Sequence, residues 1–228
     1  MNRSDAASVI IAVGDAHSVR GLLLAPPSAR ACYVLAHGAG AGMFHSFLDG
    51  VARGLAERDI ATLRYQFPYI ERGTKRPDPP TLAHATVRAA VAEAARLAPA
   101  LPLLAGGKSF GGRMTSQAQA AAPLAGVRGL AFLAFPLHPA GRPSQDRARH
   151  LFDVQIPMLF LQGTRDALAI LDQLEPLCAA LGRRATLKLV EEADHSFHVP
   201  ARSGTTDDEV LGSMLDETVN WASTVLKQ

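Results

Sequence analysis

The stretch LAGGKSFGGRM, Leu104 to Met114, decides how the rest of the chain is read. A short apolar run reaches Ala105. Four glycines, Gly106, Gly107, Gly111 and Gly112, then surround one serine, and a helix-forming segment follows. Gly107-Lys108-Ser109-Phe110-Gly111 fits G-x-S-x-G, in which a serine turns sharply between a strand and a helix. Side chains at the flanking positions would collide with the neighbouring strand and helix. Glycine removes those Cβ atoms and lets the hydroxyl stand clear at the top of a sheet. N–H groups at the helix start add positive potential that suits a developing oxyanion. A glycine-rich turn with Lys108 also raises phosphate binding. The Walker pattern G-x-x-x-x-G-K-[ST] needs a glycine five positions before Gly107, and Pro102 stands there.

Outward from this turn, strands and helices alternate. SVIIAV, RGLLLAPP and ACYVLAHG read as strands broken by Gly and Pro. Phe44, Phe47, Leu48, Val51 and Leu55 recur at helical steps. IATLRYQFP is a strand stopped by Pro68, and YIERGTKRPDPP is a polar loop. The stretch from Thr81 to Ala98 is a helix. LPLLAGG is a strand and FGGRMTSQAQAAA a helix. VRGLAFLAFP and IPMLFLQG are strands. The stretch from Ala167 to Leu181 is a helix, RATLKLVEE a strand, and Asp207 to Lys227 a closing amphipathic helix. Several strands are continuous apolar runs, as expected when helices cover both faces of a sheet. The alternation predicts an α/β fold with a mostly parallel, doubly wound sheet. The first two strands have no helix between them and are expected to pair antiparallel at one edge. PLHPAGRPSQDRARHLFDVQ, the longest irregular stretch, is too short for a separate cap, so residues 1–228 are expected to form a single domain.

Composition narrows the function. The 228 residues carry 23 basic and 21 acidic side chains, a formal net charge of +2. With no long Lys/Arg run, the electrostatic footprint of a nucleic-acid binder is missing. The longest apolar runs fall short of the roughly 18–20 residues of a membrane span. The N-terminal apolar stretch is too short and too acidic for a secretory signal. The expectation is a cytoplasmic protein with no membrane partner. Two cysteines, Cys32 and Cys178, are too few for a disulfide scaffold and read as buried thiols.

Chain order supplies partners for Ser109. Hydrolases built on this turn run Ser, then Asp or Glu, then His. Asp166 follows the strand IPMLFLQG, and His195 follows RATLKLVEE. All three groups lie at strand ends, where open α/β sheets bind ligands. Serine needs an imidazole to take its proton, and the imidazole needs a carboxylate to fix its tautomer. His198 competes with His195 as base, and Asp194 and Asp172 compete with Asp166. His195 is preferred for its position at the strand exit. Asp194, beside it, should point away from the ring, and Asp172 lies within the predicted helix. LAHGAGAG after the third strand suits a loop that turns an N–H toward substrate. Ala39 and Phe110 are the expected oxyanion donors. Lys108, His45, Tyr69 and His138 are candidate substrate contacts. His37 reads as a structural hydrogen-bonder. No histidine or cysteine set has metal spacing, so neither metal nor cofactor is expected.

The motifs LAHGAGAGM, RYQFPYIERG, GGKSFGGRM, FPLHPAGRP, LQGTRDAL and ADHSFHVP resemble those of small α/β-hydrolases of the dienelactone-hydrolase-like type. They are most similar to a branch containing bacterial hydrolases, testis-expressed proteins and a histone acetyltransferase complex subunit. The resemblance runs from about Cys32 to the end. It implies the α/β-hydrolase fold without a large cap domain and a Ser109, Asp166, His195 triad. Dienelactone hydrolases use a cysteine nucleophile, whereas this chain has Ser109. The expected activity is hydrolysis of an ester or thioester of a small acyl group. A non-catalytic interaction module and an acyltransferase using the same triad are the alternatives.

Overall fold

The structure is a computed structural model that describes residues 6–227. Residues 1–5 and 228, which the single-domain and leader readings include, lie outside the described residues. The elements are β1 (Ala7–Val13), β2 (His17–Leu24), β3 (Ala31–Ala36), α1 (Ser46–Ala56), β4 (Ile60–Tyr65), α2 (Pro68–Glu71) and α3 (Pro80–Leu97). They continue with β5 (Leu103–Lys108), α4 (Phe110–Ala121), β6 (Val127–Leu133), β7 (Met158–Gly163), α5 (Leu171–Leu181), β8 (Ala185–Val190) and α6 (Asp207–Val225).

The eight strands form one sheet in the order β1-β2-β4-β3-β5-β6-β7-β8. β1 pairs antiparallel with β2, and β2 antiparallel with β4; every later pairing is parallel. This is the α/β-hydrolase fold, mostly parallel, with no cap domain among the described residues. The alternation within β3 shows why its run is wholly apolar. Cys32, Val34 and Ala36 belong to the apolar layer that holds α3, α4 and α5 residues, while Ala31, Tyr33 and Leu35 belong to the layer that holds α1 and α6 residues. Period-two side chains meet an apolar layer on each face. Cys32 and Cys178 are buried free thiols.

Local chemistry moves several boundaries. YIERGTKRPDPP is not wholly a loop, because Pro68 starts the short α2 and occupies its first turn. The helix expected from Ala167 begins only at Leu171. The Leu168 N–H donates to Asp166 Oδ1 at 2.7 Å and draws the intervening residues into a turn. β5 runs through both glycines to Lys108, with Gly107 opposite Ala36 on one side and Phe132 on the other. A 3-10 turn, Asp146–Asp153, lies inside the long irregular stretch.

Candidate active site

Ser109 stands between β5 and α4 with φ 49° and ψ −113°, a backbone region that L residues rarely occupy. Such a residue costs about 1–3 kcal/mol and persists only where its surroundings over-determine it. Here they do. The Ser109 N–H donates to Leu133 O at 3.0 Å, and its carbonyl accepts from the Arg113 N–H at 3.1 Å. A Cβ on Gly107 would lie 2.2 Å from Ala36 O, and one on Gly111 would lie 2.6 Å from His37 O. Glycine at these places lets the turn press against β3. Ser109 is also the N-cap of α4, yet its side chain makes no capping bond. A serine at that position ordinarily spends its oxygen on the helix. This one is left for another partner.

That partner is His195. Its Nε2 lies 2.8 Å from Ser109 Oγ, and its Nδ1 lies 2.7 Å from Asp166 Oδ2. A carboxylate only accepts, so Nδ1–H donates to Asp166 and Nε2 is free to accept the serine proton. The loops carrying the two groups are joined by main-chain bonds. Arg165 N–H donates to Ala193 O at 2.9 Å, and Thr164 N–H to Val190 O at 3.0 Å. Gln162 donates from Nε2 to the same Asp166 Oδ2 that faces the imidazole. Asp166 is 2% exposed, so its carboxylate is held by donors rather than by water.

The competing residues lie elsewhere. The Asp194 carboxylate caps its own turn, accepting from the Ser196 N–H at 2.7 Å and the His198 N–H at 3.0 Å. His198 is exposed and faces Asp207 Oδ2 at 2.9 Å. Asp172 lies in the first turn of α5.

Among the described residues, the N–H groups of Ala39 and Phe110 have no hydrogen-bond partner. A Cβ built on Gly38 would lie 3.8 Å from Ser109 Cβ, so the Ala39 loop abuts the Ser109 turn. Buried groups hold that loop. His37 Nδ1 donates to Gly38 O at 2.7 Å, while its Nε2 accepts the Phe67 N–H at 3.1 Å. Burial pulls the His37 ring down to about 4, which keeps Nε2 available as an acceptor.

The Alpha/beta hydrolase domain family matches residues 29–223. The chain belongs to this family. Among solved structures, an α/β serine hydrolase without a lid from Xanthomonas campestris shares 21% identity at a TM-score of 0.74, covering 96% of this chain and 95% of that one. A dienelactone hydrolase from Anabaena variabilis shares 20% identity at a TM-score of 0.78, covering 96% and 97%. An esterase domain from a Rhodothermus marinus protein shares 17% identity at a TM-score of 0.71, covering 95% and 97%. At these identities the likeness is one of fold.

In this α/β-hydrolase the four expected substrate contacts have other partners. Tyr69 is fully buried, and its hydroxyl accepts the Gly40 N–H at 2.9 Å. His138 is 1% exposed, with Nδ1 on Pro139 O at 2.9 Å and Nε2 accepting the Ile170 N–H at 3.2 Å. Both rings are buried, and each hydrogen-bonds a loop from within. His45 caps α1 by accepting the Phe47 N–H at 3.2 Å. Lys108 donates from Nζ to the His195 carbonyl. Its charge lies 5.0 Å from the Phe197 ring and 5.8 Å from the Phe47 ring, which stack on each other at 5.8 Å. The amine thus ties the residue beside Ser109 to the main chain of His195. Burial lowers its pKa to about 8, against the pull of Asp166 and Asp194.

Gln162 was absent from the sequence reading. Its one visible signal is an amide inside the apolar run IPMLFLQG. Two surface hollows, about 230 Å³ beside Phe44 and about 310 Å³ beside Phe197, are lined by neither Ser109 nor His195. Among the described residues, no three His, Cys, Asp or Glu side chains gather to hold a metal ion. No helix there is long and apolar enough to cross a membrane.

Proposed function

We propose that the chain is a serine hydrolase cleaving an ester or thioester of a small acyl group through an acyl-enzyme. The supporting observation is the hydrogen-bonded chain from Ser109 Oγ through the His195 ring to Asp166. Ser109 Oγ attacks the carbonyl carbon as His195 Nε2 takes its proton. The carbonyl oxygen becomes an oxyanion, met by the Phe110 and Ala39 N–H groups, whose donors are unspent. The tetrahedral species collapses, and His195 returns the proton to the departing oxygen or sulfur. Water then attacks the acyl-serine, with His195 as base, and releases the acid. Asp166 holds the Nδ1–H tautomer throughout and supports the imidazolium. No cofactor enters this sequence. With no cap over the strand ends, the reading favours small or exposed acyl groups. The motifs similar to the testis-expressed and acetyltransferase-subunit branch are consistent with it and name no substrate.

The test is labelling with a fluorophosphonate, read by intact mass and peptide mapping. Ser109 acquires the label in the unaltered protein, and both Ser109→Ala and His195→Ala lose it. Turnover of short acyl p-nitrophenyl esters falls by roughly 10⁴-fold or more in either variant. Ester turnover unchanged in Ser109→Ala removes the proposal. A well-folded protein that neither labels nor turns over favours the interaction-module reading.

A further inference from the structure

Arg113 lies one turn into α4 from Ser109, joined to it by the 3.1 Å main-chain bond. Cα–Cβ bonds tilt toward the helix N-terminus, so its side chain leans to the nucleophile's end of α4. The side chain is half-buried and its Nε is fully buried. Among the described residues the guanidinium has neither a hydrogen bond nor an ion pair. A guanidinium carries five donors and cannot shed its proton to escape burial. Leaving it without an acceptor is costly, and groups so left call for an explanation.

Its surroundings deepen the imbalance. Arg147, on the 3-10 turn Asp146–Asp153 that packs against α4, is also half-buried, and its charge acts on Arg113. Arg147 too lacks a hydrogen bond or ion pair among the described residues. Burial first, and then Arg147, pull the Arg113 guanidinium below its ordinary value. The third side of the cluster holds two rings, His150 from the 3-10 turn and His84 from α3. Burial and then Arg113 lower His150 to about 4, and burial with Arg88 and Arg113 also lowers His84. Each ring already has a polar partner: His150 meets Ser116 Oγ at 2.7 Å, and His84 meets Gln117 Oε1 at 3.2 Å. Of the carboxylates on the turn, Asp146 is engaged by Arg149 at 2.7 Å, and Asp153 acts on His150. Two like charges are thus brought together beside the nucleophile helix with no acid between them. Folding alone gains nothing from that arrangement.

We propose that Arg113 and Arg147 form an anion subsite that takes a carboxylate or phosphate carried by the substrate while its acyl carbon meets Ser109. The planar fork of arginine suits either oxyanion, and a half-buried setting strengthens the pairing. The subsite rests on the hydrolase reading for its connection to turnover, but the binding of an oxyanion is measurable without it.

The experiment has two arms. In the first, kcat/KM is measured for the p-nitrophenyl half-ester of succinate and for p-nitrophenyl butyrate, which have acyl chains of equal length. The ratio of anionic to neutral substrate falls at least tenfold in Arg113→Met, falls less in Arg147→Gln, and is partly restored in Arg113→Lys. An unchanged ratio, with both substrates losing equally or neither losing, overturns the subsite and leaves the hydrolase standing. In the second arm, Ser109→Ala protein is titrated with succinate and with inorganic phosphate, followed by calorimetry. Saturable binding that Arg113→Met abolishes supports the subsite even if no ester is turned over. The better of the two ligands shows whether carboxylate or phosphate is preferred. Binding of neither ligand, or binding untouched by Arg113→Met, overturns it.

Discussion

The loop after β3 and the loop after β8 reach Ser109 from opposite directions along the sheet, and different chemistry holds each. β3 is the immediate neighbour of β5, whereas β8 lies beyond β6 and β7. The first loop is fastened from beneath by buried neutral groups: the His37 ring, the Tyr69 hydroxyl on Gly40, and Gln66 Oε1 accepting the Met43 N–H at 2.9 Å. The rings of His37, Phe67, Tyr69 and Phe110 pack against one another below it. The second loop has its own turn at Asp194, main-chain bonds to the Asp166 loop and two cationic ties, Arg165 on Glu192 and Lys108 on the His195 carbonyl, the latter lying on the Phe47 and Phe197 rings. The difference fits the parts each loop would play. Two N–H donors stabilise an oxyanion only if they are aimed before it forms. A base must take and return a proton, and a tie to its main chain orients the ring without using either ring nitrogen.

The largest effect is expected where both sides share a floor. Gly107→Ala places a Cβ 2.2 Å from Ala36 O, at a φ of +144° that L residues rarely adopt. β3 and β5 cannot both keep their register, and stability falls by about 3–5 kcal/mol or the protein fails to fold. Urea unfolding measures it. A loss below about 1 kcal/mol would show that the turn yields easily and that the strained Ser109 backbone needs no such floor.

Next come paired substitutions that separate the two loops. Tyr69→Phe removes the hydroxyl that accepts the Gly40 N–H and costs about 0.5–1.5 kcal/mol. On the hydrolase reading it lowers kcat with little change in KM, since the neighbouring Ala39 donor loses its aim. Lys108→Met keeps the aliphatic stem and removes the amine. Its folded pKa of about 8 lies below the ordinary 10.5, so the charged amine weighs against folding. That depressed group contributes stability above pH 10.5, lost as pH falls through about 8. At pH 7 Lys108→Met therefore costs little stability or raises it, while kcat drops roughly tenfold as the base loop loses its tie. If Lys108→Met proves the more destabilising of the two, the contrast between the loops is reversed.

The same amine sets a smaller effect. As pH rises through about 8, Lys108 loses its charge and its attraction to the two rings. The activity profile gains an alkaline decline centred there, absent in Lys108→Met. A profile identical in both proteins would leave the charge without a part in holding His195.

The sheet was legible because its strands are apolar runs between Gly and Pro, and helical spacing is unmistakable in segments as long as α3 and α6. Ser109, Asp166 and His195 were legible as candidates because each follows such a strand. The supports were not. Tyr69, in the four-residue α2, and His138, in a loop, stand in Pro-rich stretches too short to carry a period that says which way a side chain turns. Both turn inward, since each buries a ring and meets one main-chain N–H. Lys108 beside a nucleophile suggests an anion, but its partner is a carbonyl 87 residues away. Arg113 carries no sequence signal of its surroundings, and only three dimensions show that its guanidinium has no acidic partner among the described residues.

The smallest effect is the one that separates two histidines three residues apart. His198 is exposed and paired with Asp207, whose neighbourhood raises the ring's pKa through that hydrogen bond and charge. An exposed pair of this kind is screened by water and adds little to stability. His198→Ala should leave fluorophosphonate labelling and ester turnover within about twofold of the unaltered protein, a shift under 0.5 kcal/mol in the barrier. The variant keeps the main-chain N–H that Asp194 accepts, so the turn presenting His195 stays whole. A loss as deep as that of His195→Ala would mean that the loop after β8 exchanges the two rings at Ser109. The base side would then be a loop with two working positions, and the Lys108 tie would select between them.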